Sequence, residues 1–196
     1  MAKAAKQDTQ TVKTTVIQSA LSLAADAPWA DVTMHDIAVH AGIPLADIMM
    51  VFDDKTDVVA AFGKSLDAQV AEAMNGQVMA DDAPKDRLFD VLMARFDILN
   101  EHRGAVISML NGLTSDPKQM AVSLPWVCKS MTWMMELAEV PTNGWAGSLQ
   151  IMGLSAVYLK TLRTWIGDES EDMAATMAEL DKNLSHAEKI AGYLKI

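Results

Sequence analysis

The sequence is poor in the features that mark secreted, membrane-spanning and metal-stabilised proteins. It has a single cysteine, Cys128, which excludes an internal disulfide and a cysteine-based zinc site. No run of about 18 uncharged apolar residues is present, which argues against a membrane span. The N-terminal MAKAAKQDTQ lacks the apolar segment of a signal peptide. Together these absences predict a cytoplasmic protein.

Arginine is missing from the first third of the chain, where the net charge is negative. Residues 1–62 hold four lysines and eight aspartates, which leaves a formal charge of −4, and the whole chain carries −10. The lysines are Lys3, Lys6, Lys13 and Lys55. Because surfaces that bind nucleic acid concentrate lysine and arginine on one face, this composition predicts few phosphate contacts.

Signatures of enzymes and cofactors are also missing. The histidines occur in no zinc-binding spacing, and the chain has no glycine-rich loop of the kind that binds phosphate. The acidic runs at 53–57 and 168–172 lie where helices are predicted to begin, a position that favours carboxylates for structural reasons. The sequence predicts no catalytic residue, no metal, no cofactor and no enzymatic activity.

Helical periodicity dominates the chain and predicts an all-α protein of about nine helices. Thr33, followed three residues later by Asp36, predicts a capped start of the second helix, and Gly42 predicts its end. Pro125 predicts a kink or a break in the seventh helix. The predicted helices span residues 9–25, 34–41, 44–51, 55–73, 84–100, 103–113, 117–139, 145–166 and 170–193.

The first third of the chain carries a helix-turn-helix pattern, with two short helices joined at Ala41-Gly42-Ile43. The stretch VIQSALSLAADAPWADVTMHDIAVHAGIPLADIMMVFDDKTDVVAAF resembles the N-terminal domain of TetR-family regulators. The matching positions outside the turn are Val16, Ala20, Leu21, Thr33, Ile37, Ala38, Ile48, Phe52 and Lys55. The resemblance implies a DNA-binding-type domain over 1–55 and a larger helical ligand-binding and dimerisation domain over 56–196.

The recognition helix, PLADIMMV, departs from this family at the positions that face DNA. The resemblance implies operator DNA as a partner, with contacts from Thr33, Pro44, Leu45, Met49, Met50 and Lys55. Asp47 is the only charge in the helix, so its side chains offer no donor to phosphate or guanine. Its apolar side chains can touch thymine methyl groups, a weak form of readout. Lys55, at the start of the fourth helix, is implied to reach the DNA backbone.

The last two predicted helices carry apolar stripes. In the eighth helix one face holds large residues, namely Ile151, Leu154, Tyr158, Leu162 and Trp165. The opposite face mixes small residues with larger ones, namely Gly147, Leu149, Met152, Gly153, Ala156 and Lys160. In TetR-like proteins the last two helices of each subunit form a four-helix dimer interface. The resemblance therefore implies a homodimer, and packing within one chain is the alternative explanation of the stripes.

Methionine and tryptophan are abundant, with 15 and 5 residues. Methionine adapts its shape and suits a pocket for varied apolar molecules. A cluster of both residue types near Pro125 predicts a cavity for a small apolar ligand or lipid, and an ordinary core is the alternative. The candidate lining residues are Phe96, Met109, Trp126, Met131, Met134 and Trp165.

The C-terminal segment YLKTLRTWIGDESEDMAATMAELDKNL resembles a ubiquinone-biosynthesis accessory family. Its matching residues are Trp165, Asp168, Ser170, Asp172, Thr176, Met177, Leu180 and Asp181. Proteins of that family have a TetR-like fold, bind lipid and do not bind DNA. The sequence favours a dimeric TetR-like regulator that responds to a small apolar ligand. The alternatives are a lipid-binding accessory protein on the same scaffold and a structural or protein-interaction role of the acidic N-terminal region.

Overall fold

The computed structural model describes residues 2–77, 81–114 and 117–194, and for 2–8, 117–122 and 193–194 it describes the backbone alone. This part of the chain is all-helical, which confirms the predicted fold class. The helices are α1 (Ala2–Asp26), α2 (Met34–Ala41), α3 (Leu45–Met49), α4 (Lys55–Ala73), α5 (Pro84–Glu101), α6 (Arg103–Thr114), α7 (Pro117–Leu137), α8 (Gly144–Gly167) and α9 (Ala174–Leu194).

Two predicted helix starts need correction, because α1 begins at Ala2 and α9 at Ala174. Helix α7 continues through Pro125, so of the two predicted effects of this proline the break is excluded. Helix α9 begins at Ala174 because Ser170 and Asp172 act as caps that precede it. The Ser170 Oγ and an Asp172 carboxylate oxygen accept hydrogen bonds from the Ala174 amide at 3.0 and 3.2 Å. Side chains that cap a helix lie outside its first turn.

Residues 1–65 and 99–123 form one compact unit. In this unit α1 packs against α6 and α2, and α2 packs against α3. The loop after α1 is attached to α6 because the Trp29 amide donates to the Ser108 Oγ at 2.9 Å, and Ser108 donates in turn to the Ala27 carbonyl at 3.0 Å. Val16 and Ala20 of α1, two of the positions that match the TetR pattern, are fully buried.

Residues 66–98 and 124–196 form a second compact unit, in which α8 packs along α9. Its fully buried side chains include Phe96, Met131, Met134, Trp165 and Leu180. The predicted division of the chain into domains 1–55 and 56–196 stays a prediction, because it concerns parts that fold independently. The packing itself groups residues 99–123 with the helix-turn-helix.

Gly147 of α8 lies where the backbone of the preceding loop comes very close. A Cβ at this position would lie 2.2 Å from both the carbonyl carbon and the carbonyl oxygen of Thr142, so only glycine fits without movement. We expect Gly147→Ala to lower the free energy of unfolding by about 1–3 kcal/mol, the usual cost of overpacking. Gly63→Ala in α4 is the matched control, since a Cβ there meets nothing within 4 Å.

This prediction is checked by urea denaturation of both variants at one protein concentration. Gly63→Ala is expected to gain about 0.5–1 kcal/mol from the helix preference of alanine. Equal stabilities for the two variants would show that the loop at Thr142 moves freely.

Candidate DNA-facing surface and ligand core

The helix-turn-helix has well-formed local geometry. Thr33 caps α2: its Oγ1 accepts from the Asp36 amide at 3.1 Å, while the Asp36 carboxylate accepts from the Thr33 amide at 2.9 Å. The Thr33 hydroxyl also donates to the Asp36 carboxylate at 2.6 Å, and this bond, followed by that of the Thr33 amide, lowers the pKa of Asp36. Gly42 closes the helix in the left-handed conformation, with φ of 65°, as the sequence predicts.

The surface of α3 is apolar and faces solvent. Met49 and Met50 are 63% and 86% exposed, and Val39 at the end of α2 is 68% exposed. Leu45 is half-buried and Pro44 is exposed, whereas Ile48 is fully buried and holds the helix in place. The structure therefore brings the predicted contacts Pro44, Leu45, Met49 and Met50 onto one short element whose side chains carry no hydrogen-bond donor.

Lys55, the predicted phosphate contact, is directed toward its own protein. Its Nζ donates to the Trp29 carbonyl at 2.8 Å and to the Val32 carbonyl. The Nζ also lies 3.5 Å from the Ala30 carbonyl and 4.9 Å from the centre of the Trp29 ring. Burial lowers the pKa of Lys55, and Asp31 and Asp36 act in the opposite direction. An ammonium has three protons, and these carbonyls accept them.

In residues 1–62, here called the head, Lys13 is the other lysine whose side chain the structure describes, and it is half-buried. The side chains of Lys3 and Lys6 lie outside the described residues. Acidic side chains surround the helix-turn-helix, since Asp31, Asp47 and Asp53 are all exposed. The part of the head that the structure describes thus presents carboxylates and apolar groups to solvent.

A shallow, open depression of about 460 Å³ lies beside the loop that follows α1. It is lined mainly by small residues of the stretch 24–30 and of α6, with Gly104, Ile107 and Gly112 on the α6 side. A Cβ on Gly112 would come within 3.0 Å of the Trp29 side chain, which explains the small residue. None of the predicted ligand-lining residues borders this depression.

The predicted ligand-lining residues divide between the two units. Met109 is buried in the first unit, while Phe96, Met131, Met134 and Trp165 are fully buried in the second, where Trp126 is half-buried. The ring of Phe96 stacks on Tyr158 with 5.7 Å between centroids and lies 6.4 Å from Trp165. These side chains form an aromatic and methionine-rich core, and the ligand role remains a prediction.

The same core contains a buried polar cluster that is not predicted from the sequence. Arg95 of α5 is 5% exposed and pairs with the Asp67 carboxylate of α4. The Ser130 Oγ of α7 donates to the same Asp67 oxygen at 2.6 Å, and the guanidinium lies 5.3 Å from the centre of the Tyr158 ring of α8. Burial opposes the charge of Arg95, but Tyr158 and Asp67 outweigh it and raise its pKa.

No local sequence signal identifies this cluster, because its members are 28 or more residues apart on four helices. Only the polar interruption of an apolar stripe, as at Arg95 next to Phe96, hints at a buried charge. Among the side chains that the structure describes, no three His, Cys, Asp or Glu residues meet as a metal site. None of the described helices combines the length and apolar character that crossing a bilayer requires.

Asp168 organises the connection between α8 and α9. One of its carboxylate oxygens accepts from the Ser170 Oγ at 2.5 Å, and the other accepts from the Thr176 amide and hydroxyl at 2.8 and 2.7 Å. These bonds, led by that of Ser170, hold the pKa of Asp168 far below its usual range. Asp168, Ser170 and Thr176, which belong to the C-terminal resemblance, therefore have a structural role in this turn.

Asp168 makes the stability of the protein sensitive to acid. Because its folded-state pKa lies below its unfolded-state pKa, its contribution is complete above the ordinary aspartate pKa and is lost as pH falls toward the folded value. We expect Asp168→Asn to cost about 1–2 kcal/mol at neutral pH and to flatten the loss of stability below about pH 4. Urea denaturation from neutral to acid pH measures this, with the exposed Glu169→Gln as control. A pH profile of Asp168→Asn parallel to that of the wild type would contradict the assignment.

Solved structures of TetR regulators share this fold. The chain matches a TetR regulator from Nitrosomonas europaea with a TM-score of 0.72 and 22% identity over 90% of this chain and 98% of the other. It matches one from Rhodococcus sp. RHA1 with a TM-score of 0.66 and 14% identity over 91% and 96% of the two chains. It matches a TetR-family regulator from Streptomyces coelicolor with a TM-score of 0.59 and 17% identity over 94% of this chain and 83% of the other.

The C-terminal resemblance is also found independently. The sequence profile of the COQ9 family matches residues 152–191, which run from α8 through the connection at Asp168 into α9. The search among curated proteins gave no match. The fold is therefore TetR-like over nearly the whole chain, and the COQ9 match covers the helix pair joined by Asp168.

Proposed function

We propose that this protein binds an apolar ligand or lipid in the core of its second unit and does not read operator DNA. The observation that carries this proposal is the state of the helix-turn-helix surface. The exposed side chains of α3 are apolar or acidic, and Lys55 donates to protein carbonyls. Since phosphate contacts from lysine and arginine supply most of the affinity for DNA, this surface lacks the main contribution to DNA binding.

The ligand proposal rests on the composition of the second core and on the C-terminal resemblance. The buried apolar side chains available to a ligand are those of Phe96, Trp165 and the α7 methionines. Methionine side chains change conformation at low cost, so they can make room for a ligand. Trp126 is half-buried, so its side chain also reaches the surface. The resemblance to COQ9 implies that the natural ligand is a lipid. This agrees with a helix-turn-helix surface that does not bind operator DNA.

A titration of DNA against the purified protein tests this proposal. The DNA is the protein's own upstream region and a scrambled fragment of equal length, each at about 50 mM and about 200 mM salt. We expect equal and weak binding of both. Specific proteins prefer their sites by roughly 10³-fold or more, so a preference of that size would overturn the proposal. In parallel, native mass spectrometry of freshly purified protein is expected to show a bound lipid.

The second candidate is a dimeric transcriptional regulator that responds to a small apolar ligand. It is favoured by the intact geometry of the helix-turn-helix, including the Thr33 cap, the Gly42 turn and the buried Ile48. Under this candidate Thr33, Pro44, Leu45, Met49, Met50 and Lys55 contact DNA through backbone amides, thymine methyl groups and one ammonium. The same titration decides, and Met49→Ala with Met50→Ala would then remove the sequence preference.

Both candidates include a homodimer formed through α8 and α9. Helix α8 exposes a stripe of large apolar side chains, among them Trp145, Leu149, Met152 and Leu159, and α9 exposes Ile190. A stripe of this kind is unusual on a monomer and suits a second copy of the same helix pair. The predicted small residues Gly153 and Ala156 are exposed on α8 as well, whereas Gly147 is buried.

We expect Met152→Glu to weaken the dimer at least about 100-fold, because it buries a carboxylate without a partner. Sedimentation velocity over a concentration series measures the shift from dimer to monomer. Met50→Glu is the matched control, since it makes the same substitution at an exposed methionine of the head. A wild-type protein that sediments as a monomer would refute the dimer.

A further inference from the structure

The Arg95 cluster holds one donor that the fold leaves without an acceptor. The guanidinium carries five N–H groups, and Nη1 is used by Asp67. Within the described part of the chain, the Nε of Arg95 is buried and has no hydrogen-bond partner. A buried donor without an acceptor is costly, so native structures rarely retain one without a reason.

The charge of the cluster restricts which acceptor the Nε can donate to. Arg95 and Asp67 together are neutral, and Ser130 adds no charge. A carboxylate or phosphate entering the core would leave one buried negative charge uncompensated, which is strongly unfavourable. A hydroxyl would bring a donor that needs an acceptor of its own. A neutral carbonyl accepts a hydrogen bond and adds neither charge nor donor.

The surroundings of the Nε suit the apolar remainder of such a molecule. Phe96 follows Arg95 in α5 and stacks on Tyr158, whose ring lies against the guanidinium. Met131 follows Ser130 in α7, and Met131, Met134 and Met135 are fully buried. An aromatic ring therefore lies beside the guanidinium, and the helix that carries Ser130 supplies thioether side chains that can pack against an apolar chain.

We propose that Arg95 is the polar anchor of the ligand site and that its ligand is an apolar molecule with a neutral carbonyl, such as a long-chain ketone or ester. The carbonyl oxygen accepts from Arg95 Nε, and Asp67 and Ser130 hold the guanidinium in position. This inference rests on the proposed ligand-binding function and names the class of molecule that the site selects.

The test compares three probes of equal chain length on delipidated protein: 2-dodecanone, dodecane and dodecanoate. Each displaces the neutral dye N-phenyl-1-naphthylamine, which reports affinity by fluorescence. The variant Arg95→Lys keeps the charge that pairs with Asp67 but removes the Nε donor. Arg163→Lys, at an exposed arginine of α8, is the matched control.

We expect Arg95→Lys to weaken 2-dodecanone about tenfold, the effect of one hydrogen bond from a charged donor, and to leave dodecane unchanged. Arg163→Lys is expected to change neither. Dodecanoate is expected to bind more weakly than the ketone to the wild type. A second readout needs no variant: the infrared carbonyl band of the bound ketone shifts to lower frequency than in alkane.

The outcomes separate this inference from the proposed function. If the ketone and the alkane lose equal affinity in Arg95→Lys, and the carbonyl band is unshifted, the anchor is wrong while apolar-ligand binding stands. Tighter binding of dodecanoate than of the ketone also overturns the carbonyl assignment. If none of the three probes displaces the dye, the ligand-binding function fails and the inference fails with it.

Discussion

Asp67→Ala is expected to lower the free energy of unfolding by about 3–5 kcal/mol. The substitution leaves the Arg95 guanidinium buried without its counter-ion and the Ser130 hydroxyl without its acceptor. An exposed ion pair would contribute far less, since solvent screens it. The side chains of Arg95 and Asp67 are only 6% and 14% exposed, so solvent screens this pair little.

Chemical denaturation at fixed protein concentration measures this loss, because the proposed dimer would make stability depend on concentration. Glu72→Ala, at an exposed acid of the same helix, is the control and is expected to stay within about 0.5 kcal/mol of the wild type. The double variant Asp67→Leu with Arg95→Met is expected to recover most of the stability, since it removes both charges together. A loss below about 1 kcal/mol for Asp67→Ala would mean that water reaches the pair.

Lys55→Ala is expected to lower the free energy of unfolding by about 2–4 kcal/mol, independently of any change in DNA binding. The Lys55 ammonium donates to Trp29 and Val32 carbonyls and lies near the Trp29 ring. These contacts attach the start of α4 to the loop between α1 and α2. Removing the side chain leaves carbonyls in a partly buried site without their donor.

Lys64→Ala is the matched control, because it removes an exposed lysine from the same helix. Thermal and urea denaturation of both variants, with DNA titrations alongside, separates two roles of Lys55. A Lys55→Ala protein with wild-type stability and reduced DNA binding would support the phosphate contact that the TetR resemblance implies. A destabilised protein whose DNA affinity is as weak as that of the wild type supports a structural role.

Local features of the fold are predictable because their causes are local. The second helix begins and ends as predicted, since Thr33, Asp36 and Gly42 make their bonds within a few residues of one another. The start of the last helix is predicted four residues too early. Ser170 and Asp172 do cap it, but Met173 adopts a left-handed conformation and delays the first turn to Ala174.

Burial is predictable to the extent that it follows helical periodicity. The stripe of Leu154, Tyr158, Leu162 and Trp165 is buried as a set, and the stripe containing Leu149 and Met152 is exposed. Periodicity separates these two faces of α8 but does not say which of them turns toward the core. Packing against α9 and the rest of the unit decides that.

The sequence by itself determined that this chain is all-helical, that it carries a helix-turn-helix, and that its recognition helix lacks basic side chains. Spacing, capping and composition act over a few residues and can be read in order along the chain. Only the tertiary structure decided that Lys55 turns back to Trp29, 26 residues earlier, and that Asp67 meets Arg95 and Ser130 in the core. Such partners are chosen by which helices pack together, and the free energy of that choice is spread over the whole core rather than held in any local motif.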